Sequence, residues 1–98
     1  MISVKMHWKS LWPIIKLLKP YNPKFILDIA TGTGDFAIES LALNPDKVIG
    51  VDISEGMLSF GREKLTKLGL NDKIELRSGD SENLPFEDNN FDAIIVSF

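Results

Sequence analysis

Leu27-Asp28-Ile29-Ala30-Thr31-Gly32-Thr33-Gly34-Asp35-Phe36-Ala37 is the stretch that decides the fold. The apolar run Phe25 to Ala30 reads as a short buried strand, because it is rich in β-formers and ends in small residues and glycines. Phe36, Ala37, Ile38, Leu41 and Ala42 then recur at helical spacing, so a helix is expected over Asp35 to Leu43, closed by Asn44-Pro45-Asp46. A strand therefore turns through Gly32 and Gly34 straight into a helix. Neither glycine has a Cβ, so backbone at this turn can approach a ligand closely. Gly32-x-Gly34-x-x-Ala37 by itself is a weak signal that also fits a dinucleotide-binding site, with a ligand-free tight turn as the lesser reading, and the surrounding residues have to decide.

Upstream, Leu11, Ile14, Ile15, Leu17 and Leu18 mark an amphipathic helix over Ser10 to Lys19, with Pro20 as a stop signal and Tyr21 to Lys24 as a turn. Downstream, Lys47 to Asp52 reads as a second strand. Ser54 is a natural N-cap, Glu55 suits the positive end of a helix, and Met57, Leu58, Leu65 and Leu68 carry an apolar stripe to Gly69. Lys73 to Arg77 is a third strand, Gly79 to Asn90 a polar loop, and Phe91 to Phe98 a fourth strand. Strands alternating with helices imply right-handed crossovers and a parallel α/β sheet. Their nearly continuous apolar character implies helices on both faces.

Ninety-eight residues allow one small domain with a thin core. The net charge of −3 gives no basic footprint, so no nucleic acid partner is expected. The absence of cysteine excludes disulfides, thiolate metal sites and thiol catalysis, and no metal site is expected. Lys16, Lys19 and Asp28 break every apolar stretch well short of a membrane span, and Lys5, His7 and Lys9 interrupt any signal-peptide core. The first helix is read as core. A cytoplasmic protein is the default expectation, with peripheral contact at the membrane face as a further one.

Asp52 closes the second strand, 18 positions beyond Gly34, where a carboxylate can accept hydrogen bonds from ribose hydroxyls. Loop and acid together imply an adenosine-containing ligand. Asp28 sets a carboxylate beside the glycines, which repels a pyrophosphate and tolerates a cationic sulfonium. Asp80, after Gly79, is either a plain turn residue or an acceptor for an adenine amino group. Thr31, Thr33 and Asp35 read equally well as turn former, helix cap and first-turn acid or as ligand contacts, with Thr33 the first choice among them.

Leu27 to Asp35, Val51-Asp52-Ile53-Ser54, Gly79 to Phe86 and Phe91-Asp92-Ala93-Ile94-Ile95 resemble, in order, the successive motifs of class I S-adenosylmethionine-dependent methyltransferases, which have a Rossmann-like fold. Asp28 to Ala37, with Asp52-Ile53-Ser54-Glu55-Gly56-Met57-Leu58 and Gly61-Arg62-Glu63-Lys64, is similar to the UbiE-type ubiquinone/menaquinone biosynthesis C-methyltransferases along the whole chain. Ser3, His7 and Trp8 resemble that family's pattern ahead of the first helix.

The resemblance implies that Gly32 and Gly34 pass under the methionine and ribose of S-adenosylmethionine, that Asp52 binds the ribose hydroxyls, and that Asp80 and Ser81 hold the adenine. Asp28, Ala30, Thr31, Thr33, Ile53 and Met57 complete the expected cofactor set. It further implies C-methylation of a demethylmenaquinol or related polyprenyl quinol, with S-adenosylhomocysteine as product. Methylation of another small molecule is the alternative. A non-catalytic nucleotide-fold module or a dehydrogenase domain is a third reading, and binding of NAD in preference to S-adenosylmethionine would support the dehydrogenase version. No catalytic residue is assigned: lone His7 reads as solvated or packed more readily than as a base.

On this reading residues 1–24 are a lead-in helix and linker, and 25–98 the cofactor-binding core of a single methyltransferase domain with only its first four strands. The chain is then expected to be a truncated form, inactive alone. In the fold family's usual strand order the fourth strand would be left as an open edge, with Phe91, Ile94, Ile95 and Val96 prone to self-association.

Overall fold

A computed structural model describes residues 2–6, 11–80 and 91–97. The elements are β1 (Ile2–Met6), α1 (Leu11–Leu18), β2 (Phe25–Ile29), α2 (Asp35–Glu39), β3 (Lys47–Asp52), α3 (Glu55–Leu68), β4 (Ile74–Ser78) and β5 (Ala93–Ser97). The strands form one parallel sheet in the order β1-β5-β2-β3-β4. The parallel α/β class expected from the sequence is what the chain adopts, and all four expected strands are present.

Two expectations are corrected. Ile2–Met6, read as part of a lead-in, is a fifth strand running parallel to β5 from Ile2↔Ala93 to Met6↔Ser97. β5 is therefore an interior strand with β2 on its other side. The open edge foreseen at Phe91 to Val96, and the self-association argued from it, lose their basis. Phe91 and Ile95 are buried within the chain itself.

Helices on both faces were also expected. Instead, the buried residues of all three described helices fall into one cluster: Ile15 and Leu18 from α1, Phe36 and Ala37 from α2, and Leu58 and Leu65 from α3. They meet Ile26, Val48, Ile74, Leu76, Ala93 and Ile95 on a single sheet face. Leu27, Ile29 and Val51, with Phe91, form a second cluster on the opposite face, where no helix among the described residues packs.

Local chemistry explains the boundaries. The Ser54 side chain accepts a hydrogen bond from the Met57 amide and starts α3, and Gly69 at φ 71° ends it, its amide donating to the Leu65 and Thr66 carbonyls. α2 is only five residues long and tightens into a 3-10 turn over Ser40–Leu43. The buried Ser40 hydroxyl donates to the Ala37 carbonyl at 2.7 Å, a local bond that competes with the helical ladder. The first α-helix ends at Leu18, just ahead of the expected stop, and Pro20 sits in the 3-10 turn Lys19–Tyr21 that follows, where a fixed φ and a missing amide proton cost nothing.

On β4, Arg77 Nη2 donates to Glu75 Oε2 at 2.8 Å and holds that carboxyl below the usual carboxylate range. A lowered folded pKa stabilises above the unfolded value and is lost as pH falls through the folded one. Glu75→Gln is therefore expected to flatten the stability profile slightly below about pH 4.3, by no more than about 0.5 kcal/mol for so exposed a pair. Urea midpoints measured across that range check this.

Candidate functional site

The chain runs outward from β2 to β3 and β4, then returns to place β5 on the other side of β2. The direction of winding reverses at β2, and in open α/β sheets the crevice at the carboxyl ends of the strands beside such a reversal is where ligands bind. The glycine turn leaves β2 at that crevice.

Ala30, Gly32 and Gly34 all have positive φ, at 61°, 60° and 86°. Gly34 is the N-cap of α2, and its amide donates to the Thr31 carbonyl at 3.0 Å. Ala30 is a non-glycine residue in the left-handed region, strain of about 1 kcal/mol stored in the loop. The Thr31 amide donating to the Val51 carbonyl at 2.9 Å ties the loop to β3.

Asp52 latches the turn. Its Oδ2 accepts the Gly32 amide at 2.8 Å and its Oδ1 the Ser54 amide at 2.9 Å, while the Asp52 carbonyl accepts the Gly79 amide at 3.0 Å. One residue thus joins the glycine turn, the start of α3 and the end of β4. Each carboxylate oxygen keeps a further lone pair for a ligand hydroxyl.

Ile29, Ala30, Val51, Asp52, Ile53, Gly79 and Asp80 enclose a cleft of about 180 Å³. A larger hollow of about 410 Å³ lies by α3 and β4, lined by Lys47, Arg62 and Glu75 among others, and contains none of the expected site residues. Among the described residues, the lining of the smaller cleft has two carboxylates and no cationic side chain. That donor set suits hydroxyl, amino and sulfonium groups and opposes a pyrophosphate.

The expected residues divide between this cleft and its support. Ala30, Asp52, Ile53 and Asp80 line it, with Ile53 77% exposed, and the Met57 methyl stands over Gly32. Asp28 does not reach it. This side chain is 0% exposed and accepts the hydroxyl of Thr31, itself buried, at 2.7 Å. Asp28 lies opposite Gly50 in the sheet, and a Cβ on Gly50 would come within 2.6 Å of that hydroxyl. Glycine there makes room for the Asp28–Thr31 bond.

Thr33 turns toward α3, its hydroxyl 3.5 Å from Lys64 Nζ, and Lys64 also pairs with Asp35 at 2.5 Å. Ser81, His7 and Trp8 lie outside the described residues. Ile29, Val51 and Gly79 were not singled out as ligand contacts from sequence. Their common signal is position, at or just beyond a strand's carboxyl end.

Thr31→Val keeps shape and burial but removes one donor from a buried carboxylate, and is expected to destabilise by about 1–2 kcal/mol. Thr31→Ser should retain most of that stability. Urea unfolding of the two variants checks it.

A model of the ubiE/COQ5 methyltransferase family matches residues 1–98. The chain is 54% identical over 98 residues to the demethylmenaquinone methyltransferase of Bacteroides fragilis, a match covering 99% of this chain and 39% of that protein. Among solved structures, the YcgJ protein from Bacillus subtilis superposes with a TM-score of 0.79 at 28% identity, covering 90% of this chain and 37% of that one. The methyltransferase PaMTH1 from Podospora anserina, solved with SAH bound, gives a TM-score of 0.72 at 28% identity, covering 89% of this chain and 39% of that one. The chain thus spans 39% of the length of the curated relative it matches.

Proposed function

This chain belongs to the ubiE/COQ5 methyltransferase family, and on that footing we propose that it forms the cofactor-binding part of a methyltransferase domain that transfers a methyl group from S-adenosylmethionine to a ring carbon of a demethylmenaquinol or related polyprenyl quinol. The observation that carries the cofactor reading is the cleft at the ends of β2 and β3, which combines a glycine turn, a latched Asp52 and a lining without cations. The name of the Bacteroides fragilis relative supports the quinol as acceptor.

When bound, S-adenosylmethionine supplies an activated methyl on a sulfonium, so the protein's task is chiefly alignment. Asp52 accepts the ribose hydroxyls, and its two amide bonds keep the carboxylate aimed before ligand arrives. Gly32 lets the backbone pass under the ligand, with Met57 closing over the same turn. Ile53 gives the adenine an apolar surface, and Asp80 accepts from its amino group. Asp28 and Thr31 hold the loop from behind. The work of such a protein belongs to the cytoplasm, at or near the membrane that holds the acceptor.

The test is a chimera in which residues 1–98 replace the matching part of the Bacteroides fragilis relative, incubated with methyl-labelled S-adenosylmethionine and a reduced demethylmenaquinone. Label on the quinol ring, lost in Asp52→Ala, is expected. A folded chimera that binds S-adenosylhomocysteine but methylates no quinol would overturn the acceptor, and one that does not bind it would overturn the cofactor.

A further inference from the structure

α1 and the turn after it have two unlike faces. Ile15 and Leu18 are buried in the core with Ile14 beside them, whereas Trp12, Leu17 and Tyr21 are 64%, 54% and 63% exposed. Pro13, Lys16, Lys19 and Pro20 are exposed with them. Helical spacing sets Trp12, Lys16 and Lys19 in one row and Pro13 and Leu17 in the next, with Tyr21 continuing past the helix end.

Charge is also segregated along the sequence. Residues 1–27 contain five lysines (Lys5, Lys9, Lys16, Lys19 and Lys24) and no aspartate or glutamate. That leaves six basic and fourteen acidic residues for 28–98, in a chain whose net charge is −3. An anionic surface attracts the first segment and repels the remainder, which both binds and orients the molecule.

From these observations we infer that the outer face of α1 and its turn is a docking surface for an anionic lipid bilayer. Trp and Tyr have an apolar ring with a polar edge and settle at headgroup depth, and lysine stems lie along the apolar layer while their ammonium groups reach phosphates. Leu17 adds the aliphatic anchor between them. With three large apolar side chains and two lysines, α1 lies on the surface, and no helix among the described residues is long and apolar enough to cross a membrane. The inference goes beyond the methyl-transfer reading and stands apart from the cofactor cleft, so S-adenosylhomocysteine binding is unaffected by its failure.

The experiment is co-sedimentation of the chain with vesicles of phosphatidylcholine mixed with phosphatidylglycerol, against vesicles of phosphatidylcholine alone. Each lysine near an anionic surface is worth about fivefold in partitioning. Binding is expected only to the anionic vesicles and should weaken with added salt. Lys16→Glu/Lys19→Glu should reduce it about twentyfold or more while leaving the thermal melt in place. In a Trp8→Phe background, Trp12 emission should shift to the blue when vesicles are added. Absence of anionic selectivity, binding that survives the charge reversal, or an unshifted Trp12 would each overturn the proposal. So would a concentration-dependent dimer that the same double variant abolishes without any vesicle binding, since a second copy would then occupy this face.

Discussion

Asp52→Ala is expected to lower affinity for S-adenosylhomocysteine by at least about 100-fold, equivalent to roughly 3 kcal/mol. The loss has two parts. The ribose loses its charged acceptor, and the Gly32 and Ser54 amides lose the carboxylate that fixes them at 2.8 and 2.9 Å. Asp52→Asn should fall between the two, because an amide keeps one acceptor oxygen and turns a donor toward the other amide proton. Far-UV circular dichroism should be unchanged in both variants, since Asp52 is only part-buried and lies at the last position of β3. Calorimetric titration measures the effect, and an Asp52→Ala chain that binds like the parent would remove Asp52 from the site.

Gly61→Val is expected to be the most damaging single change to the fold, at about 3 kcal/mol or more. Gly61 lies on the buried side of α3, and a Cβ there would come within 2.7 Å of the Thr33 carbonyl oxygen and 2.7 Å of Leu76 Cδ1. The first contact is with backbone of the glycine turn, which cannot rotate away as a side chain can. A branched side chain would force α3 off both the turn and β4. Stability and cofactor affinity should therefore fall together, whereas in Asp52→Ala affinity is expected to fall much further than stability. A urea midpoint close to that of the parent would show that α3 has room to move.

Local signals proved legible where the chain's own neighbours decide the structure. Lys47–Asp52 and the limits of α3 follow from an apolar run, a Ser54 cap and a Gly69 stop, all within a few residues of what they specify. Long-range pairing was harder to read. Ile2-Ser3-Val4-Lys5-Met6 alternates apolar and polar residues, a strand signal, yet its partner is about 90 positions away and nothing local names it. Continuous apolar strands announced two buried faces without saying what covers each, and the described helices all took one of them.

The site divides along the same line. Gly32, Gly34 and Asp52 were readable because their spacing reflects one strand, one turn and the strand beside it. The direction in which a loop side chain turns was not. Thr33 meets Lys64 across 31 positions, and Asp28 is satisfied by Thr31 behind the loop because Gly50 on the next strand leaves space.

The most direct measurement is calorimetric titration of the 98-residue chain with S-adenosylhomocysteine and, separately, with NADH. The cation-free cleft beside a latched Asp52 is expected to bind the first and not the second. Preference for NADH, or no binding of either ligand by a chain that circular dichroism shows to be folded, would contradict the assignment of this cleft to an adenosyl sulfonium.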